Sequence, residues 1–403
     1  MKLLIVSQYF SPEHFIINDI VRVLVTQGHE VVVATGKPNY PDGEIFPGYR
    51  AWGCQRERYL DCVDVVRVPL WPRGKGGAKN MVLNYLSFVI AGLALFPWLL
   101  RKREFDAILV FAPSPITQAI PAIALKWLKK AHLALWIQDL WPESLAATGF
   151  VKNRFLLKVV GSLVRSIYSG CDRLLVQSHA FIDPVAHYAA RDKIVYYPNS
   201  IDTFSPRADV PIPHELSSVL EQNFCVVFAG NLGTAQALDT LLQVAIQLRD
   251  EGDIRLVLIG SGSRLDWLKA QKQAHGLDNL ILPGRFPAEA MPGIFSRSAA
   301  LLVSLNDERI FSQTIPSKIQ AYLAAGRPII ACLNGEGARI VLEARAGLSS
   351  PAEQVSPLVA AIREMHSLDE VERETMGRSG RAYFEQHFDM GNQVRRLIDL
   401  LQR

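Results

Sequence analysis

Apolar runs of three to six residues recur along this chain with helix-length segments between them, in two successive series. Leu3–Val6, Val31–Ala34, Val63–Val68, Ala107–Phe111, Leu133–Ile137 and Leu174–Gln177 make the first series; Ile17–Gln27, closed by Gly28, and Asn153–Ser169 have helical length and pattern between them. Cys225–Gly230, Arg255–Gly260, Leu280–Leu282, Ala300–Val303 and Pro328–Cys332 make the second, with helical patterns at Asp239–Gly252 and Leu265–His275. Runs that are apolar on both faces suit strands covered by helices on both sides, and the βα alternation makes those strands parallel. The expectation is an α/β chain of two Rossmann-like domains facing a central cleft, with turns at the carboxyl ends of the strands, where such sheets bind ligands. Pro198–Pro213, with four prolines and little periodicity, is the linker candidate. The domains are expected at 1–200 and 201–384, with a C-terminal helix, 385–403, packing back on the first.

At 403 residues, 49% hydrophobic and 20% charged, the chain has core enough for two domains and is not disordered. Charge is uneven. Residues 1–200 carry 23 Lys/Arg against 15 Asp/Glu, whereas 201–403 carry 20 against 24. The first half therefore favours an anionic partner, nucleic acid or an anionic membrane surface. Five cysteines without C-x-x-C spacing read as free thiols in a reducing cytosol. No metal motif is present, and no metal or cofactor is expected. The start, Met1–Ser7, reads as a buried strand and not a signal peptide, because its apolar run is too short.

Two stretches carry the chemistry of the second half. Gly230-Asn231-Leu232-Gly233 and Gly260-Ser261-Gly262-Ser263 each follow a strand; glycine lets backbone amides approach a phosphate, although tight strand–helix packing uses the same turns. The dehydrogenase fingerprint G-x-G-x-x-G is absent, since position 265 is Leu. Gln313–Pro328 is a polar loop, then a helix closed by Gly326. Thr314 or Ser317 could cap that helix, with its first amides and the Lys318 ammonium toward a pyrophosphate; the alternative is an ordinary cap beside a solvated lysine. In the first half, Asp139, Glu143 and Glu13 each follow a strand. A carboxylate there could take a hydroxyl proton or serve only a helix N-terminus. His14 and His29 read as structural.

Phe228-Ala229-Gly230-Asn231-Leu232-Gly233, Pro198-Asn199-Ser200-Ile201-Asp202 and Pro316…Ala325-Gly326-Arg327-Pro328 resemble bacterial family-four glycosyltransferases of the GT-B fold. Tyr9–Glu13, Gly28–Val31, Pro38–Pro41 and Trp136–Ser144 resemble its L-N-acetylfucosamine transferase subgroup of O-antigen and capsule assembly, over nearly the whole chain. The resemblance implies a UDP-sugar donor, no metal, a lipid-linked (undecaprenyl-pyrophosphate) acceptor and retention at the anomeric carbon. It places the base near Arg285 and Phe286, the diphosphate at Gly262, Ser263 and Thr314-Ile315-Pro316-Ser317-Lys318, and the acceptor in the first domain. The family's E-x7-E pair is replaced by Gln313 and Ala321, and its Arg/Lys pair by Asn231 and Gln236; Lys318, then Arg309 or Arg285, could take over the phosphate. A UDP-sugar epimerase, a dehydrogenase and a non-enzymatic lectin are the rivals.

Residues 81–100 are nearly all apolar, with Arg73, Lys75 and Lys79 before and Arg101, Lys102 and Arg103 after. Twenty such residues could cross a bilayer, but strands of one sheet flank them. Cations at both ends suit a helix lying on an anionic membrane, or dipping in and returning, at the cytoplasmic face of the inner membrane; a buried core helix is the alternative.

Overall fold

The computed structural model describes residues 1–75, 77–147, 151, 153–202 and 210–402. Most of the linker candidate, 203–209, lies outside the described residues. The chain divides into two compact units, Met1–Asn199 with Met390–Arg403, and Ser200–Asp389.

The first unit runs β1 (Lys2–Val6), α1 (Ile16–Thr26), β2 (Glu30–Thr35), β3 (Gln55–Tyr59), β4 (Val63–Arg67), α2 (Ala78–Leu99), β5 (Ala107–Ala112), α3 (Ala119–Lys129), β6 (His132–Ile137), α4 (Glu143–Ala147), α5 (Arg154–Gly170), β7 (Arg173–Val176), α6 (Ile182–Ala186) and β8 (Ile194–Tyr196). Its sheet has the order β3-β4-β2-β1-β5-β6-β7-β8, parallel except for β3. Alternate residues of β1 serve opposite faces, as strand geometry requires: Leu4 and Val6 pack under α2, α3 and α5, while Leu3 and Ile5 pack against α1.

The second unit runs α7 (His214–Gln222), β9 (Phe224–Ala229), α8 (Leu238–Gln247), β10 (Ile254–Ile259), α9 (Leu265–His275), β11 (Leu280–Gly284), α10 (Met291–Arg297), β12 (Ala300–Ser304), α11 (Arg309–Gln313), α12 (Ser317–Ala325), β13 (Ile329–Cys332), α13 (Glu336–Glu343), β14 (Gly347–Ser350), α14 (Val355–Ser367) and α15 (Glu370–His387). All six strands are parallel, in the order β11-β10-β9-β12-β13-β14.

The last helix, α16 (Met390–Leu401), returns to the first unit. It buries Met390, Val394, Leu397 and Leu401 among Ile17, Val21 and Trp136. The Tyr197 hydroxyl donates to the Gln393 carbonyl at 3.1 Å. The returning segment begins at Met390 and not at 385, because α15 runs through His387 and the buried Phe384 and Phe388 belong to the second unit.

Two parallel α/β sheets are the expected class. β3 was not foreseen: Gln-Arg-Glu-Arg-Tyr has no apolar run, since it is an edge strand hydrogen-bonded on one side only. Leu60 and Asp61, both at positive φ, turn the chain between β3 and β4. β8 and β14, the far edges, were also not foreseen: β14 is Gly-Leu-Ser-Ser, without an apolar run, and β8 is only three residues long.

Candidate functional site

In the second unit the ends of β9, β10 and β11 are tied together by glycine. The Gly230 N–H donates to the Ile259 carbonyl at 2.9 Å and the Gly260 N–H to the Gly284 carbonyl at 2.8 Å. Gly260 has φ +145°, and a Cβ there would lie 1.8 Å from the Gly230 oxygen, so no other residue fits without moving the backbone. The tight turns leave a cavity of about 970 Å³ above the strand ends.

Its floor is Ala229, Gly230, Asn231, Ile259, Gly260 and Ser261. Arg285 and Phe286 follow β11 on one side; Met291, Pro292 and Phe295 of α10 supply an apolar wall; α12 closes the other side with Ser317, Lys318, Ala321 and Tyr322. Arg381 of α15 also lines it. Three cations and no carboxylate stand among the described lining residues, so the cavity suits an anion joined to a flat apolar group.

Lys318 is its most constrained charge. Its Nζ donates to Gln236 Oε1 at 2.6 Å and lies 4.2 Å from the centre of the Phe228 ring. Burial pushes its pKa down to about 8. The side chain crosses over Gly230, where a Cβ would meet Lys318 Cε at 2.4 Å. A cation from α12 thus stands beside Gln236, one of the two positions where the family resemblance implies a charge and this sequence has an amide.

The other expected donor residues divide. Asn231, Arg285, Phe286 and Ser317 line the cavity with Lys318. Gly262, Ser263, Thr314 and Pro316 are not among its lining residues. Gly262 is glycine because a Cβ would lie 2.4 Å from the Leu232 oxygen, a packing role between turns. Ser263 is exposed in the turn before α9. The capping expectation is corrected: Pro316 is the N-cap of α12 and no side chain caps it, while the Thr314 hydroxyl donates back to the Ile310 carbonyl at 3.2 Å. Arg309 opens α11 and is not among the lining residues.

Tyr322 and Arg381 were missed. Tyr322 is buried and accepts from the Ala229 N–H at 3.0 Å, pinning α12 to the end of β9. It lies four residues after Lys318, on the same helix face, which was the available signal. Arg381 had none, being more than fifty positions away in the chain.

In the first unit, Asp139 follows β6 and is half-buried. The Trp141 indole N–H donates to Oδ2 at 3.3 Å, and the Ser114 and Ser144 hydroxyls and the Leu140 amide also bond the carboxylate. Burial outweighs these donors and raises its pKa above the ordinary carboxylate range. Tyr85 of α2 shares Ser114 and feels both Asp139 and Arg73. The group can hold or receive a proton in a fixed orientation. Glu143, in the first turn of α4, instead hydrogen-bonds Tyr188.

Glu13, expected as a catalytic carboxylate, makes contacts that suit a brace. It is 1% exposed, and its carboxylate accepts from the amides of Phe10, Asn39 and Tyr40 at 3.1, 2.8 and 2.8 Å. It braces the loops after β1 and β2; burial pushes its pKa up to about 7. His29 meets the N-terminal amine at 3.2 Å, a structural contact. All five cysteines are free.

Two family models match: the glycosyl transferase 4-like domain over residues 15–200, and glycosyl transferases group 1 over residues 223–367. A protein of Escherichia coli (strain K12), named as a colanic acid biosynthesis glycosyl transferase, WcaI, is 25% identical, with 99% of each chain covered. Among solved structures, Anabaena HepE in complex with UDP superposes with a TM-score of 0.68 at 13% identity, covering 100% of this chain and 99% of that one. An E. coli structure described as trehalose-6-phosphate with bound UDP-2-fluoro glucose gives 0.70 at 12% identity, with 100% and 99% covered.

Proposed function

Because the chain is a glycosyltransferase of the GT-B fold, we propose that it moves a sugar, L-N-acetylfucosamine in the first instance, from a UDP-sugar to a lipid-linked (undecaprenyl-pyrophosphate) saccharide in bacterial surface polysaccharide assembly. The cationic cavity around Lys318 carries the reading. A diphosphate would lie against Lys318 and the first amides of α12, with the uracil toward Arg285 and Phe286. The UDP complexes of HepE support a nucleotide-sugar donor, and the name of the WcaI relative, a colanic acid biosynthesis glycosyl transferase, supports a role in surface polysaccharide assembly.

Asp139 is proposed as the group that takes the acceptor hydroxyl proton, its orientation fixed by Trp141, Ser114 and Ser144. No metal takes part in this reading. The lipid acceptor places the enzyme at the cytoplasmic face of the inner membrane, held there through residues 81–100. An epimerase would use the same donor geometry but need no acceptor. Incubation with UDP-sugars, with and without lipid-linked saccharide, separates the two: acceptor-dependent UDP release is expected. Conversion of the UDP-sugar without acceptor would select the epimerase.

A further inference from the structure

α2, α3 and α5 lie side by side on one face of the first sheet. Phe88 and Phe96 of α2, Leu125 of α3, and Val164 and Ile167 of α5 share one core beneath them. The helices pack closely: a Cβ on Gly92 of α2 would lie 2.9 Å from Pro121 of α3, and one on Gly170 of α5 would lie 3.0 Å from Ile123 of α3. Their outer sides therefore point the same way, away from the sheet.

Those outer sides are apolar. On α2, Val82, Leu86, Ile90 and Leu93 follow helical spacing and are exposed, Ile90 by 65%. Trp127 and Leu128 continue the surface on α3, Trp127 exposed by 73%. Phe155, Val159 and Leu163 extend it along α5, Phe155 by 75%. Scattered apolar residues are ordinary on a surface, but rows on three adjoining helices mark an interaction face.

Charge identifies the occupant. The three helices hold Lys79, Arg154, Lys158 and Arg165, and no Asp or Glu; their other two cations are engaged within the unit, Lys126 with Asp172 and Lys129 with the carbonyls of Leu100, Arg101 and Arg103. Exposed Lys75, Arg101 and Lys102 flank α2. A second copy docked on this face would oppose cation to cation. An anionic bilayer complements it, with apolar rows entering the acyl boundary and cations at the headgroups.

We propose that α2, α3 and α5 together form a flat membrane-docking platform for anionic lipid. This rests on the membrane attachment proposed above and deepens it from one helix to a face. α2 neither crosses nor dips into the bilayer, because Phe88, Gly92 and Phe96 hold its inner side in the core.

The test is co-sedimentation of the full chain with vesicles of phosphatidylglycerol and phosphatidylcholine, against phosphatidylcholine alone. Three double variants are compared: Leu86→Ser/Ile90→Ser, Trp127→Ser/Leu128→Ser and Phe155→Ser/Val159→Ser. Each is expected to weaken partition into the anionic vesicles by about tenfold, with an unchanged cooperative thermal melt as the check that the first unit still folds. If only the α2 variant weakens binding, the platform is overturned and attachment by α2 stands. If the wild type ignores anionic vesicles, both fall. Wild-type dimers that the α5 variant splits, without vesicle binding, would assign the face to self-association and overturn the proposal.

Discussion

The two units finish their strands in opposite ways. In the second, Gly230 and Gly260 end β9 and β10, the backbone draws close, and a cavity lined by cations remains. In the first, side chains fill the corresponding ends: Glu13 spends its carboxylate on three backbone amides, Tyr9 stacks on Phe15 at 5.3 Å, and Asp139 sits among donors from its own and neighbouring loops. Glycine turns make room for an anion whose binding groups are backbone and a few charges. Filled ends fix one or two functional groups in place. The difference suits a donor that brings its own phosphates and an acceptor whose single hydroxyl must be oriented.

The largest effect expected from breaking this contrast is at Asp139. Asp139→Asn keeps the shape and removes the proton acceptor, so turnover should fall by about two orders of magnitude or more, with the melting temperature nearly unchanged. Near-normal steady-state rates would reduce Asp139 to a brace like Glu13.

Lys318 comes next. Lys318→Ala removes a charge-assisted contact of about 1.5–3 kcal/mol, and UDP affinity by calorimetry should drop about tenfold or more. Unchanged affinity would detach the cavity's cation from the diphosphate.

The same lysine sets a pH dependence. With its pKa near 8, Lys318 is charged below that value and neutral above it. UDP, already ionised, binds the charged form. Affinity should therefore decline above pH 8 toward a limit of about tenfold per pH unit, with proton uptake on binding. Lys318→Gln should flatten the profile; an equally steep decline in that variant would assign the titration elsewhere.

The smallest effect on turnover is expected at Glu13. Glu13→Gln turns an amide toward backbone donors and should cost about 1–3 kcal/mol of stability while sparing the rate of the folded enzyme. The wild-type contribution has a definite sign. The folded-state pKa, about 7, lies above the ordinary carboxylate value. The Glu13 contribution is thus most favourable at acid pH and is lost as pH rises through that window. Denaturant melts of both proteins from pH 4 to 8 should show this difference. Loss of turnover without loss of stability would restore the catalytic reading.

Much of this was legible along the chain. Buried parallel strands are apolar on both faces, so β1, β2, β5, β6, β9, β10 and β12 announce themselves as runs; edge strands such as β3 do not. Lys318 was legible because its turn, helix and cation are consecutive. The bracing contacts of Glu13 were not legible, because two of its amide partners, at 39 and 40, arrive from another loop. The wall from α10 and the charge of Arg381 depend on packing that no local pattern encodes.

The return of α16 has a consequence for biosynthesis. Tyr197 and its partner Gln393 are separated by 196 positions, almost all belonging to the second unit. On the ribosome, the first unit's sheet emerges early but lacks the helix that covers Ile17, Val21 and Trp136. The second unit, contiguous in sequence, can close while that apolar face is still bare. The domain begun first is the one completed last, and its open face is the stretch of nascent chain most in need of a chaperone.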